Sequence, residues 1–123
     1  MKISKTALIV EDNLILSLLY ENYLKETVFK TIGEIKSGSV AVDFVKKYKP
    51  EVIIMDIELQ GEMDGITAME AIRKFSEAPV IFITGNTDKE SIDRVAAITN
   101  SKFLKKPISE KIMKEAVDEI LMG

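Results

Sequence analysis

Four polar positions in this 123-residue chain sit where short apolar runs end, and their residue types are ones that can do chemistry together. Asp56 closes Val52-Ile53-Ile54-Met55, Glu11-Asp12 closes Ala7-Leu8-Ile9-Val10, and Thr84 closes Val80-Ile81-Phe82-Ile83. If each run is a buried strand, the polar ends share a sheet edge and suggest one site. Clustered carboxylates without a neutralising partner repel one another, raise at least one pKa and destabilise the fold, so Glu11, Asp12 and Asp56 invite a hard divalent cation. Mg2+ suits an all-oxygen site with few protein ligands, because it keeps several waters and bridges to phosphate oxygens; Mn2+ is the alternative ion. Lys105-Lys106-Pro107 follows a fifth run, where a lysine can set a compact positive charge on a phosphoryl oxygen while Thr84 donates a hydrogen bond to another. With Asp56 as carboxylate nucleophile, the set holds the parts for aspartyl-phosphate formation.

Each signal has a plainer reading when taken singly. Acidic residues after strands also cap the helices that follow, Thr84 also reads as an ordinary strand end, and Lys106 as a solvated charge. Their joint placement on one edge, in this order, carries the weight.

The elements that must position them follow from the periodicity. Strand-like runs at Ala7–Val10, Thr31–Ile35, Val52–Asp56, Val80–Thr84 and Lys102–Lys105 alternate with helical patterns near Leu14–Glu26, Ser39–Tyr48, Gly65–Phe75, Lys89–Ile98 and Glu110–Leu121. The last helix is the clearest, with Ile112, Met113, Ala116, Val117, Ile120 and Leu121 at helical spacing. Continuous apolar strands imply a parallel sheet covered on both faces, joined by right-handed crossovers, hence a (βα)5 doubly wound α/β fold. Pro50 and Pro79 precede the third and fourth strands, Gly38 opens the second helix, and Asp88 is a candidate N-cap. In such a sheet the functional crevice lies beyond the carboxyl ends of the strands, where the order reverses. The first helix, with Leu14, Ile15, Leu18, Leu19 and Tyr20, is broadly apolar, which is expected to reflect core burial, with a dimer face as the alternative.

Composition narrows the function classes. The length fits one domain, 1–123, since single cores commonly hold about 100–150 residues. A content of 46% hydrophobic and 30% charged residues is that of an ordinary globular chain. No apolar stretch approaches the roughly 18 residues that span a bilayer, and the N-terminus has no secretory pattern, so a cytoplasmic protein without membrane contact is expected. With no cysteine and no histidine, the chain has no disulfide, thiolate or imidazole chemistry of its own. A net charge of −3 with interspersed signs gives no basic stripe, which argues for protein partners rather than nucleic acid.

Glu11-Asp12, Asp56, Thr84 and Lys106-Pro107, with Met63-Asp64-Gly65-Ile66 after the nucleophile, Gly33-Glu34 and Ser37-Gly38 in a turn region, and Phe103 ahead of the lysine, resemble the receiver domain of two-component response regulators over essentially the whole chain. The resemblance implies a flavodoxin-like, five-stranded parallel sheet of order 2-1-3-4-5. It implies that Asp56 accepts a phosphoryl group from a sensor histidine kinase or histidine phosphotransfer protein. It also implies that Asp12, Asp56 and the Glu58 backbone carbonyl ligate Mg2+, with Glu11 acting through water, while Lys106 and Thr84 bind phosphoryl oxygens. Such a domain is a phosphoacceptor signalling module rather than an enzyme with an external substrate. The family's switch carries over to Thr84 and Phe103: the threonine moves toward the phosphoryl group, the aromatic fills the space it leaves, and a downstream protein target reads the altered face. Phe103 as plain core is the other reading. Glu58 and Asn86 lie where the family tunes phosphoryl lifetime, and they read equally as exposed loop. The family's lysine-proline bond is typically cis, making Lys106-Pro107 a cis candidate.

Gln60 stands where a proline is frequent, the loop from Asp56 to Asp64-Gly65 is one residue longer than the common pattern, Phe103 replaces a tyrosine, and Asn100-Ser101 replace a usual Gly-Ala pair. These departures spare the catalytic set. The alternatives are a phosphorelay intermediate or a receiver piece of a larger regulator or hybrid kinase, a haloacid-dehalogenase-like phosphatase, and a non-phosphorylated pseudo-receiver. The phosphatase wants Asp-x-Asp near the N-terminus, whereas here the acidic pair comes first and the nucleophile mid-chain.

Overall fold

A computed structural model describes residues 4–122, so residues 1–3 and 123 of the expected domain lie outside the described residues. Strands β1 (Lys5–Val10), β2 (Phe29–Ile35), β3 (Val52–Asp56), β4 (Val80–Thr84) and β5 (Ser101–Lys105) alternate with helices α1 (Leu14–Leu24), α2 (Gly38–Tyr48), α3 (Gly65–Ile72), α4 (Lys89–Ala96) and α5 (Glu110–Met122). The strands form one parallel sheet of order β2-β1-β3-β4-β5, the flavodoxin-like arrangement expected.

Alternation along the central strands divides the core in two. Leu8, Val10, Ile53, Met55, Val80 and Phe82 pack with Ala41 and Val45 of α2 and Ile66, Met69 and Ile72 of α3. Ala7, Ile9, Val52, Ile54, Ile81 and Ile83 face Tyr20 and Leu24 of α1 and Met113 and Val117 of α5. Successive side chains of a strand point to opposite faces, so a run apolar at every position must be covered on both, and the helices supply the cover. Each helix start is fixed by a side-chain oxygen that accepts an otherwise unpaired N–H: Asn13 from Leu16, Ser37 from Val40, Asp64 from Thr67, Asp88 from Ser91 and Ser109 from Ile112.

The boundaries of β3 and β4 agree with the sequence reading, and other ends differ for local reasons. Helix α1 stops at Leu24, not Glu26, where the Thr27 hydroxyl and N–H both bond to the Leu24 carbonyl. Helices α3 and α4 end at Ile72 and Ala96, short of Phe75 and Ile98, and their last residues close tighter turns, Phe75 N–H to Ile72 and Ile98 N–H to Val95. The expected burial of α1's apolar residues holds only for Tyr20. Leu14 is 59% and Ile15 76% exposed, and Leu18 and Leu19 are exposed too. A helix turns only one stripe to a sheet, and in α1 that stripe is Ser17, Tyr20 and Leu24, leaving the other four on flanking faces.

Candidate functional site

Strand register assembles the site. Val10 pairs with Met55, Asp56 with Ile83, and Thr84 with Lys105, so Glu11 comes level with Asp56 and the neighbouring strands end on Thr84 and Lys106. Asp56, Glu11 and Thr84 are buried to within 3% of complete, an expensive place for two carboxylates. The Lys106 ammonium lies between them, 3.4 Å from Asp56 Oδ1 and 3.3 Å from Glu11 Oε1, with its side chain only 23% exposed. The solvated-charge reading of Lys106 therefore does not hold.

Backbone donors hold the remaining oxygens. The Glu58 N–H donates to Asp56 Oδ1 at 3.1 Å, Asn13 N–H to Glu11 Oε2 at 3.1 Å, and Gln60 N–H to Asp12 Oδ2 at 3.2 Å. One lysine shared by two carboxylates and three N–H groups do not balance three negative charges. Burial, opposed by the Asn13 N–H and reinforced by the Asp56 charge, pushes the Glu11 carboxyl up to about 7. Burial also raises Asp56, against the pull of Lys106. On Lys106 burial works the other way, but Asp56 and Glu11 outweigh it and raise its pKa.

These features test whether a hard cation fits. One oxygen from each of Glu11, Asp12 and Asp56 lies within 4.8 Å of the others. Glu11 Oε1 is buried without a hydrogen bond, its Lys106 contact being an ion pair lacking bonding geometry. An all-carboxylate set with an unpaired oxygen and pKa values pushed upward suits a divalent ion, which would remove the repulsion that raises them.

Thr84 is fully buried at the end of β4. Its hydroxyl donates to Glu58 Oε1 at 2.9 Å and accepts from the Asn86 N–H at 3.0 Å. Asn86 in turn accepts from the Asp88 N–H at 3.0 Å and donates to the Asp88 carboxylate at 3.2 Å, next to the start of α4. Glu58 and Asn86 are exposed loop residues, yet both are bonded to the same hydroxyl. Phe103 is half-buried on β5, beside Phe82 and against the core face that α2 and α3 cover. The Lys106–Pro107 peptide is cis.

Several contributors went unseen in the sequence. Tyr20, read only as an apolar helix residue, has its phenol pushed up by burial and then by the Glu11 and Asp56 charges. Arg94 of α4 donates to Asp64 Oδ2 and Thr67 Oγ1, both at 3.0 Å, tying α4 to the start of α3. Burial works against the Asp64 charge, but the Thr67 N–H and Arg94 hold its carboxyl below the usual range. In the sequence Asp64 stands out only within Met63-Asp64-Gly65-Ile66, and nothing there points to Arg94.

A doubly wound parallel sheet with carboxylates, a threonine and a lysine gathered at its carboxyl edge defines a class, and the comparisons name it. The chain belongs to the response regulator receiver domain family, whose model matches residues 7–118. It is similar to the chemotaxis protein CheY of Bacillus subtilis, 29% identical over 116 residues that cover 93% of this chain and 95% of that protein. It is similar also to the transcriptional regulatory protein PdtaR of Mycobacterium tuberculosis, 27% identical over 107 residues, 87% of this chain and 52% of that protein, so it spans about half of PdtaR's length. The solved N-terminal domain of a response regulator/sensory box/GGDEF 3-domain protein from Carboxydothermus hydrogenoformans superposes with a TM-score of 0.85 at 30% identity, covering 96% of this chain and 94% of that one. Receiver domains are signalling domains that bind Mg2+ through acidic residues and meet histidine kinases or phosphotransfer proteins and downstream targets. Family membership leaves the haloacid-dehalogenase alternative without support. No helix among the described residues is long and apolar enough to cross a membrane.

Proposed function

We propose that Asp56 is the phosphoacceptor of this receiver domain. The observation that carries the reading is the buried Asp56 carboxylate held against Lys106, with Glu11, Asp12 and Thr84 on the same edge. The chain has no histidine, so the phosphohistidine donor lies outside residues 1–123, on a sensor histidine kinase or a histidine phosphotransfer protein. An Asp56 carboxylate oxygen bonds to phosphorus in line as the bond from phosphorus to the donor's imidazole nitrogen breaks. Asp12, Asp56 and the Glu58 carbonyl, with Glu11 through water, would hold Mg2+ or Mn2+, and when bound the ion neutralises charge on the phosphoryl oxygens. Lys106, already paired with Asp56, keeps a positive charge on one phosphoryl oxygen. Thr84 donates to another, and Phe103 follows it into the space it leaves.

Residues 1–123 act on this reading as one receiver unit in the cytoplasm, beside its kinase, and pass the signal to a protein target without touching nucleic acid or membrane. The exposed apolar residues Leu14, Ile15 and Leu18, immediately after Asp12-Asn13, supply a protein-facing surface at the mouth of the site. Incubation with acetyl phosphate and Mg2+, read by intact-mass spectrometry, tests the assignment. One added phosphoryl group is expected on the wild type and none on Asp56→Asn or in excess chelator. Equal addition to Asp56→Asn would move the acceptor elsewhere, and no addition to the wild type would favour a non-phosphorylated pseudo-receiver.

A further inference from the structure

Each crossover helix runs back from the carboxyl ends of the strands to start the next one, so the ends of α2 and α3 lie at the sheet edge opposite Asp56. Lysines and aromatic rings gather there. The Lys46 ammonium sits over the Phe75 ring, 5.4 Å from its centroid, and joins the end of α2 to the turn after α3. Lys47 sits over the Tyr48 ring at 5.2 Å, and Lys49 and Lys74 are the next residues to the two rings in sequence. We propose that this surface docks an acidic peptide segment of a partner protein, independently of phosphorylation at Asp56.

Docking here goes beyond the phosphoacceptor role of Asp56 and stands apart from it. The chain carries a net charge of −3, yet Lys46, Lys47, Lys49 and Lys74 are all exposed, and none of them forms an ion pair among the described residues. Carboxylates close to them in sequence are turned elsewhere. Glu70 faces Arg94 at 3.8 Å, Glu51 pairs with Lys5 at 3.5 Å, and Glu77 accepts from the Thr99 hydroxyl at 3.2 Å. Asp43, one turn before Lys46 and Lys47, is the carboxylate left nearby. The surface is thus locally positive on a negative molecule. Lysines in the last turn of a helix also offset the helix dipole, which accounts for their sign. It does not account for the two large rings beside them, Tyr48 at 53% and Phe75 at 40% exposed. At a protein interface such rings supply apolar area, and the charges around them select a partner of opposite sign. Nucleic acid fits less well, because each ring already carries a lysine over a face where a base would stack, and the net charge of the chain repels a polyphosphate at a distance.

Binding of a fluorescently labelled random copolymer of glutamate and tyrosine tests the surface, with polyglutamate, a single-stranded oligonucleotide and phosphatidylserine vesicles as comparison probes. The wild type should bind the copolymer, less tightly as ionic strength rises, and should bind polyglutamate about threefold or more weakly for want of apolar contacts. Lys46→Glu with Lys47→Glu should weaken copolymer binding about tenfold or more, and Tyr48→Ala with Phe75→Ala about three- to tenfold. Lys46→Arg with Lys47→Arg keeps the charge and should keep the binding. Every variant should still gain one phosphoryl group from acetyl phosphate and Mg2+, which shows it folded, and phosphorylation should leave copolymer binding unchanged. Equal binding by the wild type and the glutamate variant would overturn the proposal, as would a wild type that ignores the copolymer at low ionic strength. Tighter binding of the oligonucleotide or the vesicles than of the copolymer would overturn the peptide as occupant, and binding lost on phosphorylation would overturn its independence of Asp56. A wild type that binds the copolymer but gains no phosphoryl group would remove the phosphoacceptor reading and leave the docking surface in place.

Discussion

Helices α3 and α4 are each eight residues long and each follows a strand that ends in the site, yet they are held in opposite ways. Five residues of α3 are buried: Gly65, Ile66, Ala68, Met69 and Ile72. In α4 only Val95 is, and the helix is otherwise tied down by polar bonds, the Asp88 cap, Arg94 to Asp64 and Thr67, and Arg73 to the Thr99 carbonyl at 2.8 Å beyond its end. Apolar burial falls off with every bit of area exposed and resists sliding, whereas exposed polar bonds are individually weak and exchange readily with water. The α3 side is a fixed floor beneath Asp56, and on the proposed switch reading α4 is the element that a local change at Thr84 would shift.

The contrast breaks most directly at Gly65. A Cβ there would overlap the Asp56 carbonyl oxygen and meet Met55 Cγ at 2.8 Å, and the Gly65 N–H bonds to the Ile57 carbonyl, so the backbone cannot retreat. Gly65→Ala should cost about 3 kcal/mol or more in urea unfolding, at the upper end of overpacking changes, and impair phosphorylation with it. A neutral result would show that the floor yields. Next come matched truncations. Ile72→Ala in α3 should cost about 2–5 kcal/mol and Val95→Ala in α4 about 1–2 kcal/mol. Equal costs would erase the distinction between the helices.

The metal-free site supplies a pH test of the floor. The Glu11 carboxyl rises from its ordinary 4.5 to about 7 on folding, and Asp56 moves in the same direction. The folded chain then holds a proton that the unfolded chain has already released across that window. Stability in chelator should be fully present below about pH 4.5 as regards Glu11 and fall as pH rises through 7, by about 3 kcal/mol or less, and Mg2+ should restore it at pH 8. Stability that rises over the same window without metal would contradict the burial of these charges. The smallest effect is expected at Arg94. Its ion pair with Asp64 is about one-third exposed on each side, so Arg94→Ala should lower global stability by less than about 1 kcal/mol while quickening amide exchange within α4. A larger global loss would make α4 part of the fixed body.

The central strands were legible because their apolar runs are continuous, start after Pro50 and Pro79, and end on Asp56 and Thr84. Once the sheet order is known, the convergence of Glu11, Asp12, Asp56, Thr84 and Lys106 follows from register alone. Helix α1 was not legible in the same way. An apolar-rich segment shows that a helix can be buried but not which stripe meets the sheet, and Leu14, Ile15, Leu18 and Leu19 stayed outside. The Glu58–Thr84 and Arg94–Asp64 contacts join residues 26 and 30 positions apart. They depend on how the loop after β3 folds over the end of β4 and on how α4 sits against the start of α3, which no local pattern encodes.

Amide hydrogen exchange resolved by element, before and after treatment with acetyl phosphate and Mg2+, tests the whole account at once, with Asp56→Asn as control. One added phosphoryl group, altered exchange in the Asn86–Asp88 loop and α4, and no change in α3 are expected, with none of this in Asp56→Asn. Phosphorylation that leaves α4 unchanged, or that alters α3 as much as α4, would contradict it.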